Sequence, residues 1–481
     1  MLASTGLLAI PFPANIVPKY TRKSSETLEN SNAIEAVLSH KSLTSYQQKS
    51  LPLKDCIVIA LKRNPGILAN FNLIQQNEWN LISARRQWFP TLNLGSSTIY
   101  GGQKSFQSIR YPSKKQAIYN SYQQSLPSLS LSWYFLNPIV QPNINSNLAQ
   151  LKAQRFTYDY IARGLILQVQ TAYINVQSSQ LLIKAYRDIY YNNKKQVDYL
   201  TAQLAKGMID LGALEQSKTT MYQQLASLVQ FQQQFLSQSS TLAQLLGYTD
   251  NTIIVASDPL ISKEKWVVSL EESIENARRS REEIKAYLQT ADSYRWNARQ
   301  LLNTYYPSFY INYTAGGTYQ SGCLNVKNPS GCPNIPSTND QSNNSLNLGL
   351  TWLFDGGLNA AAANSNKSAA SANENYAINA ETEAVQQVKT SYALYKNNSE
   401  ALELASKQLL SAQITSHVTS ERFRVGIGDV TTLVQAQQLL SSAVQTRVQT
   451  LQQYNLAIAQ LYRYSALLPI VSYNNMIDVL N

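Results

Sequence analysis

Cysteine and histidine are the side chains here best suited to nucleophilic or metal chemistry, and they are few. The 481-residue sequence contains three cysteines and two histidines. Cys323 and Cys332 lie in a stretch rich in Gly, Asn, Pro and Ser, which is typical of an exposed loop, and a local disulfide would suit an oxidising compartment. His40 and His417 have no metal-ligand spacing with them. We predict no metal site and no cofactor, and one candidate loop disulfide.

The third cysteine, Cys56, lies on an amphipathic segment, where a small buried side chain is a better interpretation than a nucleophile. The sequence has no phosphate-binding loop, nucleophile elbow or metal cluster. His417 lies within a long polar helical segment, which favours a solvated residue over a general base. The sequence therefore predicts a protein that is not an enzyme.

The net charge of +11 raises the question of an anionic partner such as nucleic acid. Lys and Arg are scattered, without zinc-finger spacing or an aromatic RNA-binding signature, so a solvated basic surface is the better interpretation. Charged residues make up only 14% of the chain, yet no apolar run reaches the ~18 residues of a membrane-spanning helix. We predict neither nucleic-acid binding nor a helical membrane protein.

The elements that carry these residues are duplicated along the chain. Offsets of 217 and, further on, 219 residues match Trp79 with Trp296, Pro90 with Pro307, Trp133 with Trp352, Gly207 with Gly426, and Asp210 with Asp429. We predict a first repeat over 51–266 and a second over 267–481, after an N-terminal extension over 1–50. The apolar patch in this extension, Leu7–Ile10, has no preceding basic region. Either the export signal is degenerate or the true start lies elsewhere.

Each half contains two segments in which apolar residues alternate with small or polar ones. This period of two predicts strands over about 91–100, 127–136, 308–316 and 345–354, with polar loops over about 101–124 and 321–344. Strands of about ten residues suit an outer membrane, but four of them cannot close a barrel, which needs at least ~8. Several chains must therefore contribute strands.

Long segments almost free of proline surround the strands, and their hydrophobic period is helical. Apolar residues recur every seven positions at Val169, Val176 and Ile183, which predicts coiled-coil packing. The helix over about 143–206 would be ~95 Å long at ~1.5 Å per residue. A compact globule does not accommodate such a helix.

Each long helix ends at a short loop. Gly207 and Gly426 supply the left-handed conformation that stops a helix, and Asp210 and Asp429, three residues later, are placed to cap the next one. The sequence therefore predicts antiparallel helical hairpins with tips near 207 and 426.

Three motifs resemble the family of TolC-type outer-membrane efflux proteins. They are the segment Leu51–Pro65 with its terminal Asn-Pro, the run Phe354-Asp355-Gly356-Gly357, and the run Arg422-Phe423-Arg424-Val425-Gly426-Ile427. Each motif alone is loose, but their order, spacing and repetition are specific. The resemblance covers roughly residues 51–466.

The resemblance implies a mainly helical protomer of a homotrimer, with four strands per chain in a 12-stranded barrel that continues into an α-helical tunnel. It implies an outer-membrane exit duct of an efflux or type I secretion system, in contact with outer-membrane lipid. The open periplasmic end would dock on a periplasmic adaptor and an inner-membrane transporter of the ABC or RND type. The sequence does not specify the substrate.

In this family the hairpin tips contact the adaptor and constrict the pore. The resemblance carries these roles to Gly207, Met208 and Asp210 at the first tip, and to Arg422, Arg424, Gly426, Ile427 and Asp429 at the second. Met208 and Ile427 are the apolar residues that follow the tip glycines.

The chain departs from the family just inside the returning helices. Where relatives often place acidic residues that ring the closed pore, this chain has Ala213, Gln216, Thr432 and Gln435. Glu215 is the nearest carboxylate, so we expect weaker cation selectivity. The first tip also has Gln203 where the second has Arg422, so the two tips need not engage an adaptor equally.

A soluble coiled-coil scaffold is the main alternative. It would explain the heptads, but it leaves the four alternating strands without a purpose. A soluble sandwich would explain the strands, but a small sheet does not need helices far longer than itself.

Overall fold

The computed structural model describes residues 31–38, 45–110, 113–326 and 337–467. The helices are α1 (Ser31–Leu38), α2 (Leu53–Arg63), α3 (Pro65–Arg86), α4 (Val140–Ala205), α5 (Leu211–Leu245), α6 (Leu270–Ser280), α7 (Glu282–Asn303), α8 (Leu358–Arg424) and α9 (Val430–Tyr464). The strands are β1 (Gln47–Leu51), β2 (Thr91–Arg110), β3 (Ser113–Leu136), β4 (Thr252–Ala256), β5 (Ser308–Val326) and β6 (Ser337–Thr351). The fold is mainly helical, as predicted.

The helices occur in pairs of matching length, one from each half of the sequence. Helices α2 and α6 each have 11 residues, and α3 and α7 each have 22. Helices α4 and α8 have 66 and 67 residues, and α5 and α9 each have 35. Both halves thus carry the same succession of elements. In the described ranges, every helix is too short or too polar to cross a bilayer.

The chain forms two compact units, each built from three segments. The first unit comprises Met1–Cys56, Val169–Lys263 and Asn397–Leu456, and the second comprises Ile57–Gln168, Glu264–Lys396 and Ala457–Asn481. Because each unit takes segments from both halves, the compact units are not the sequential repeats. The repeats over 51–266 and 267–481 stay a prediction about the sequence.

The second unit contains an antiparallel sheet in the order β2-β3-β5-β6. Its strands have 15 to 24 residues rather than about ten, and β2 and β3 continue through most of the loop predicted over 101–124. The predicted lengths were wrong because a hairpin ladder is held by backbone hydrogen bonds, which persist where side chains stop alternating in polarity. The fourth strand ends at Thr351, short of the predicted 354.

The part of this sheet that includes the start of β2 and the end of β6 has one apolar face and one polar face. On one face Leu92 pairs with Leu131, and the row continues through Tyr313 to Leu346. The next row on that face runs through Trp133, Ile311 and Leu348, and a further row pairs Phe309 with Leu350. The residues between these rows carry the opposite face, and they are mostly Ser, Asn and Thr, as in the row Thr91, Ser132, Asn312 and Asn347.

A tryptophan at the end of each half-sheet is held by the same hydrogen bond. The indole N–H of Trp133 donates to the carbonyl of Trp88 at 2.9 Å, and that of Trp352 donates to the carbonyl of Tyr305 at 2.9 Å. Each hydrogen bond links the segment just before a β-hairpin to the far end of that hairpin. The duplication seen in the sequence thus extends to individual contacts.

A small parallel sheet in the first unit pairs β1 with β4. Neither strand was predicted from the sequence, and β1 lies largely in the predicted N-terminal extension over 1–50. Ser239 of α5 supports β4 by donating its hydroxyl to the carbonyl of Ile254 at 2.6 Å. The N-terminal extension therefore contributes a strand, β1, to the first unit.

Candidate functional site

The first hairpin tip, between α4 and α5, is closed by backbone hydrogen bonds that require a glycine. Gly207 has a φ of 71° and donates its N–H to the carbonyl of Leu204 at 2.9 Å. The N–H of Met208 donates to the backbone carbonyl of Gln203 at 3.0 Å. This pair of bonds is the Schellman arrangement that satisfies the last carbonyls of a helix. Met208 is 68% exposed. The tip thus presents an apolar side chain to solvent on a turn closed by backbone hydrogen bonds.

Asp210 starts the returning helix α5. Its Oδ1 accepts the N–H of Ala213 at 3.0 Å, as the sequence predicted for a capping residue. A Cβ on Gly212 would lie 2.8 Å from that Oδ1. Gly212 therefore leaves space for the capping carboxylate, a role that was not predicted from the sequence.

The second tip, between α8 and α9, repeats the turn with different neighbours. Gly426 has a φ of 82° and donates to Phe423 at 3.1 Å, and Ile427 donates to Arg422 at 3.0 Å. Asp429 Oδ2 accepts the N–H groups of Thr431 and Thr432 at 3.0 and 3.3 Å. Like Met208, Ile427 is 68% exposed.

Two of the charged residues predicted at the tips form local ion pairs. Glu215 Oε1 lies 3.1 Å from Lys218 Nζ one turn along α5, and Arg424 Nη2 lies 2.8 Å from Glu421 Oε2. Arg422, Thr432 and Gln435 are exposed. The structure thus gathers the predicted residues at two separate turns of the first unit, and Glu215 carries a partner that offsets its charge.

Beneath the tips, one apolar cluster packs both hairpins in the first unit. Its buried members are Tyr190, Val197, Leu200, Leu214, Met221, Phe423, Val430, Leu433 and Val434. Ile34 and Leu38 of α1 pack against it, and the side chain of Gln232 donates to the carbonyl of Val37 at 2.7 Å. The short helix α1 was not predicted, because eight residues within a polar stretch carry little periodicity.

A buried group of charges lies in the second unit where α6 meets α7. Glu282 accepts from Arg163 at 2.8 Å and lies 3.8 Å from Arg463, while Arg281 contacts Glu283 and donates to Gln387 at 2.7 Å. Burial and then the charge of Glu282 raise the pKa of Asp159, which Arg163 partly offsets. The Arg163–Glu282 pair links α4 to α7, and the hydrogen bond from Arg281 to Gln387 reaches α8.

The cysteines do not form a reactive site in the described part of the chain. Cys56 is free and fully buried, and burial, followed by the charges of Asp55 and Asp258, raises the pKa of its thiol to about 12. Cys332 and the side chain of Cys323 lie outside the described residues, so the disulfide stays a prediction. No group of acidic, His and Cys side chains suited to a metal ion occurs among the described residues.

The chain belongs to the outer membrane efflux protein family, whose model matches residues 56–248 and 273–466. This confirms the resemblance seen in the motifs. The two matched ranges correspond to the two halves of the duplication, and together they include both tips. A comparison with curated protein sequences gave no match.

Solved outer-membrane channels share the fold. The Campylobacter jejuni CmeC channel is 14% identical, with a TM-score of 0.67 and 89% of each chain covered. The Neisseria gonorrhoeae MtrE channel in its open state is 16% identical, with a TM-score of 0.63 over 86% of this chain and 89% of that chain. The Vibrio cholerae outer membrane protein VceC is 15% identical, with a TM-score of 0.62 over 86% of this chain and 95% of that chain.

Proposed function

We propose that this protein is the outer-membrane exit channel of a multicomponent efflux or type I secretion system. It acts as a passive conduit, without catalysis, and three copies contribute 12 strands to one barrel. The barrel lies in the outer membrane, and the helical hairpins form a tunnel in the periplasm. Family membership supports this assignment.

The two-faced sheet is the observation that carries the proposal. Strands β2 and β6 are its edges, and their apolar side chains are exposed in the single chain: Leu94 by 76%, Leu346 by 71% and Leu348 by 75%. Long apolar edge strands pair with further strands or aggregate. A closed barrel of several chains satisfies the edges, places the leucine face in lipid and leaves the Ser and Asn face toward water.

The hairpin tips are the proposed contact with a periplasmic adaptor and an inner-membrane transporter of the ABC or RND type. Met208, Leu211, Val425 and Ile427 are at least half exposed. Exposed apolar side chains on hydrogen-bonded turns are suited to burial in a partner. We also assign the pore constriction to these turns.

Partition and assembly test the channel. After membrane fractionation the protein should require detergent for extraction, migrate as an oligomer that heating dissociates, and conduct ions in planar bilayers. A detergent-independent monomer or dimer, as expected of a coiled-coil scaffold, would overturn the proposal.

The Glu215–Lys218 pair predicts weak cation selectivity at the tips. Replacing Glu215 by Gln should change the cation-to-anion permeability ratio by less than about twofold, because a partly exposed ion pair presents little net charge to a passing ion. Reversal potentials in a salt gradient measure the ratio, with Lys218→Gln as the matched variant. Strong cation selectivity that Glu215→Gln abolishes would contradict the prediction.

A further inference from the structure

A partly open cavity in the second unit is lined by two buried arginines. It has a volume of about 470 Å³, and the helices α3, α4, α8 and α9 contribute to its wall. Arg281, just before α7, and Arg463, near the end of α9, both line it, and their side chains are only 4% and 7% exposed. The described residues of its wall include no carboxylate. Two positive charges therefore border one space that has no acidic side chain in its wall.

Each of the two guanidinium groups has a hydrogen-bond donor that is not used. The Nε of Arg281 and the Nη1 of Arg463 are buried and have no acceptor among the described residues. Arg281 uses other nitrogens to donate to Gln387 at 2.7 Å and to contact Glu283. Arg463 Nη1 lies 3.8 Å from Glu282 Oε2, which is too far for a hydrogen bond. Because a buried charged donor without an acceptor costs free energy, an anion in the cavity would be stabilised by both groups.

Two tyrosine rings in the wall orient the guanidinium groups. Arg463 Cζ lies 4.9 Å from the ring centroid of Tyr160, and Arg281 Cζ lies 5.8 Å from that of Tyr464. A ring over the flat face of a guanidinium leaves the N–H groups at its edge available. Burial lowers the pKa of Arg463, and the charge of Arg281 also lowers it, although neighbouring glutamates raise it. The two cations thus repel each other, and an anion between them would relieve the repulsion.

Neither arginine is explained by the duplication or by helix capping. The offsets of 217 and 219 residues place Asn64 and Gln244, which are uncharged, at the equivalent positions. Asn64 caps α3, because its Oδ1 accepts the N–H groups of Gly66 and Ile67 at 2.9 and 3.4 Å. Arg281 occupies the same position before α7, makes no side-chain cap hydrogen bond, and places a cation at the positive end of the helix dipole.

The wall also contains apolar side chains and one position with free space. The aliphatic residues are Ile67, Ile161, Leu165 and Leu167. Gly164 lies among them, and a Cβ added there would meet nothing within 4 Å. A cavity of ~300–1,000 Å³ with apolar walls and a few convergent polar groups is typical of a site for a small organic molecule.

We propose that this cavity binds a small organic anion. Arg281 and Arg463 donate to its phosphate or other oxyanion group, for which guanidinium groups are suited. The aliphatic side chains and the tyrosine rings pack against its apolar body. The ligand joins four helices of the second unit, so it stabilises the folded protomer. The inference goes beyond the proposed channel function and does not depend on it.

Calorimetric titration of the purified oligomer tests the site, with phenyl phosphate and inorganic phosphate as probes at constant ionic strength. Phenyl phosphate should bind saturably, and inorganic phosphate should compete with about tenfold lower affinity, because it has no apolar body to bury. Arg463→Gln should weaken the binding of phenyl phosphate by about tenfold or more, because a charge-assisted hydrogen bond is lost. Absence of saturable binding, or equal affinities of the two probes, would overturn the proposal.

Gly164 offers a variant that leaves the buried charges in place, in case Arg463→Gln does not assemble. Gly164→Phe adds a ring in the free space of the cavity and should weaken the binding of phenyl phosphate by about tenfold or more. Gly164→Ala is the matched control and should bind like the unmodified protein. Unchanged binding in an assembled Gly164→Phe oligomer would place the probe elsewhere and overturn the proposal. Absent conductance with intact binding would contradict the channel function alone.

Discussion

At the residue scale, the two halves of the chain cap equivalent helices by different means. Helix α6 is capped by its own Ser269, whose hydroxyl accepts the N–H of Glu272 at 3.1 Å. The equivalent position before α2 is Pro52, which has no side-chain acceptor. Asp258 compensates, because its Oδ2 accepts the N–H of Leu53 at 2.9 Å from 205 residues away.

Asp258 also contacts the hydroxyl of Tyr173. Replacing Asp258 should therefore lower the free energy of unfolding more than the loss of a local cap does. The Tyr173 hydroxyl lies 3.0 Å from Asp258 Oδ2 and 3.0 Å from the Leu51 carbonyl oxygen. We expect Asp258→Ala to lower the free energy of unfolding by ~1–3 kcal/mol, and Ser269→Ala by ~1 kcal/mol. Thermal denaturation of the detergent-purified protein measures both. Equal losses would argue against the long-range cap.

The buried thiol of Cys56 predicts a pH dependence of stability. Its pKa is about 12 in the folded protein, against an ordinary value of 9.0. Between these pH values the folded protein holds a proton that the unfolded chain releases. The contribution of Cys56 to the free energy of unfolding is therefore complete below pH 9 and decreases as pH rises toward 12.

Cys56→Ala should therefore flatten the alkaline fall in the free energy of unfolding, which denaturant titrations at pH 7.5 and about 10 measure. Thiol reagents should modify native Cys56 slowly at pH 8 because little thiolate is present. Rapid modification in the folded oligomer would show that the thiol is accessible and the raised pKa wrong.

At the scale of elements, the two tips share a turn but differ one residue after it. Gly428 lies where a Cβ would come within 2.8 Å of Phe423 N and 2.9 Å of Phe423 Cα. The equivalent residue at the first tip is Ile209, which packs against the apolar cluster. The second turn is thus closed by tight backbone contact and the first by a side chain.

Gly428→Ala should distort the second tip, because the obstructing atoms belong to backbone and cannot rotate away. We expect a loss of ~1–3 kcal/mol in the free energy of unfolding, as for other overpacked sites. Gly164→Ala is the matched control, since a Cβ there meets nothing within 4 Å and alanine favours the helix by ~1 kcal/mol. Thermal melting compares the two variants, which should shift in opposite directions.

Much of this element-level structure was predictable from the sequence. Heptads marked the long helices, and the Gly207 and Asp210 spacing marked the tip, because helix termination depends on local backbone chemistry. The Asp258 cap and the β1–β4 pairing were not predictable, since they join segments about 200 residues apart without a local pattern. The part of β2 beyond Tyr100 was not predicted from the sequence, because its polar residues no longer alternate with apolar ones.

At the scale of the whole molecule, assembly of several chains determines which face of the sheet meets lipid and which lines the lumen. A single chain supplies only a four-stranded sheet. Leu348 and Asn347 are neighbours on β6 that lie on opposite faces, paired with Ile311 and Asn312 of β5. In the proposed trimer Leu348 faces lipid and Asn347 faces the lumen. Their adjacent positions make them a matched pair for testing which face meets the membrane.

Leu348→Arg should destabilise the assembled barrel by ~2–4 kcal/mol, the range for arginine near the middle of a lipid-facing strand, whereas Asn347→Arg should be tolerated. The yield of heat-dissociable oligomer reports assembly, and urea titration in lipid vesicles reports stability. Asn347→Arg should also shift permeability toward anions, because a lumenal cation attracts them. If Asn347→Arg blocks assembly and Leu348→Arg does not, the faces are reversed and the leucine rows line the lumen.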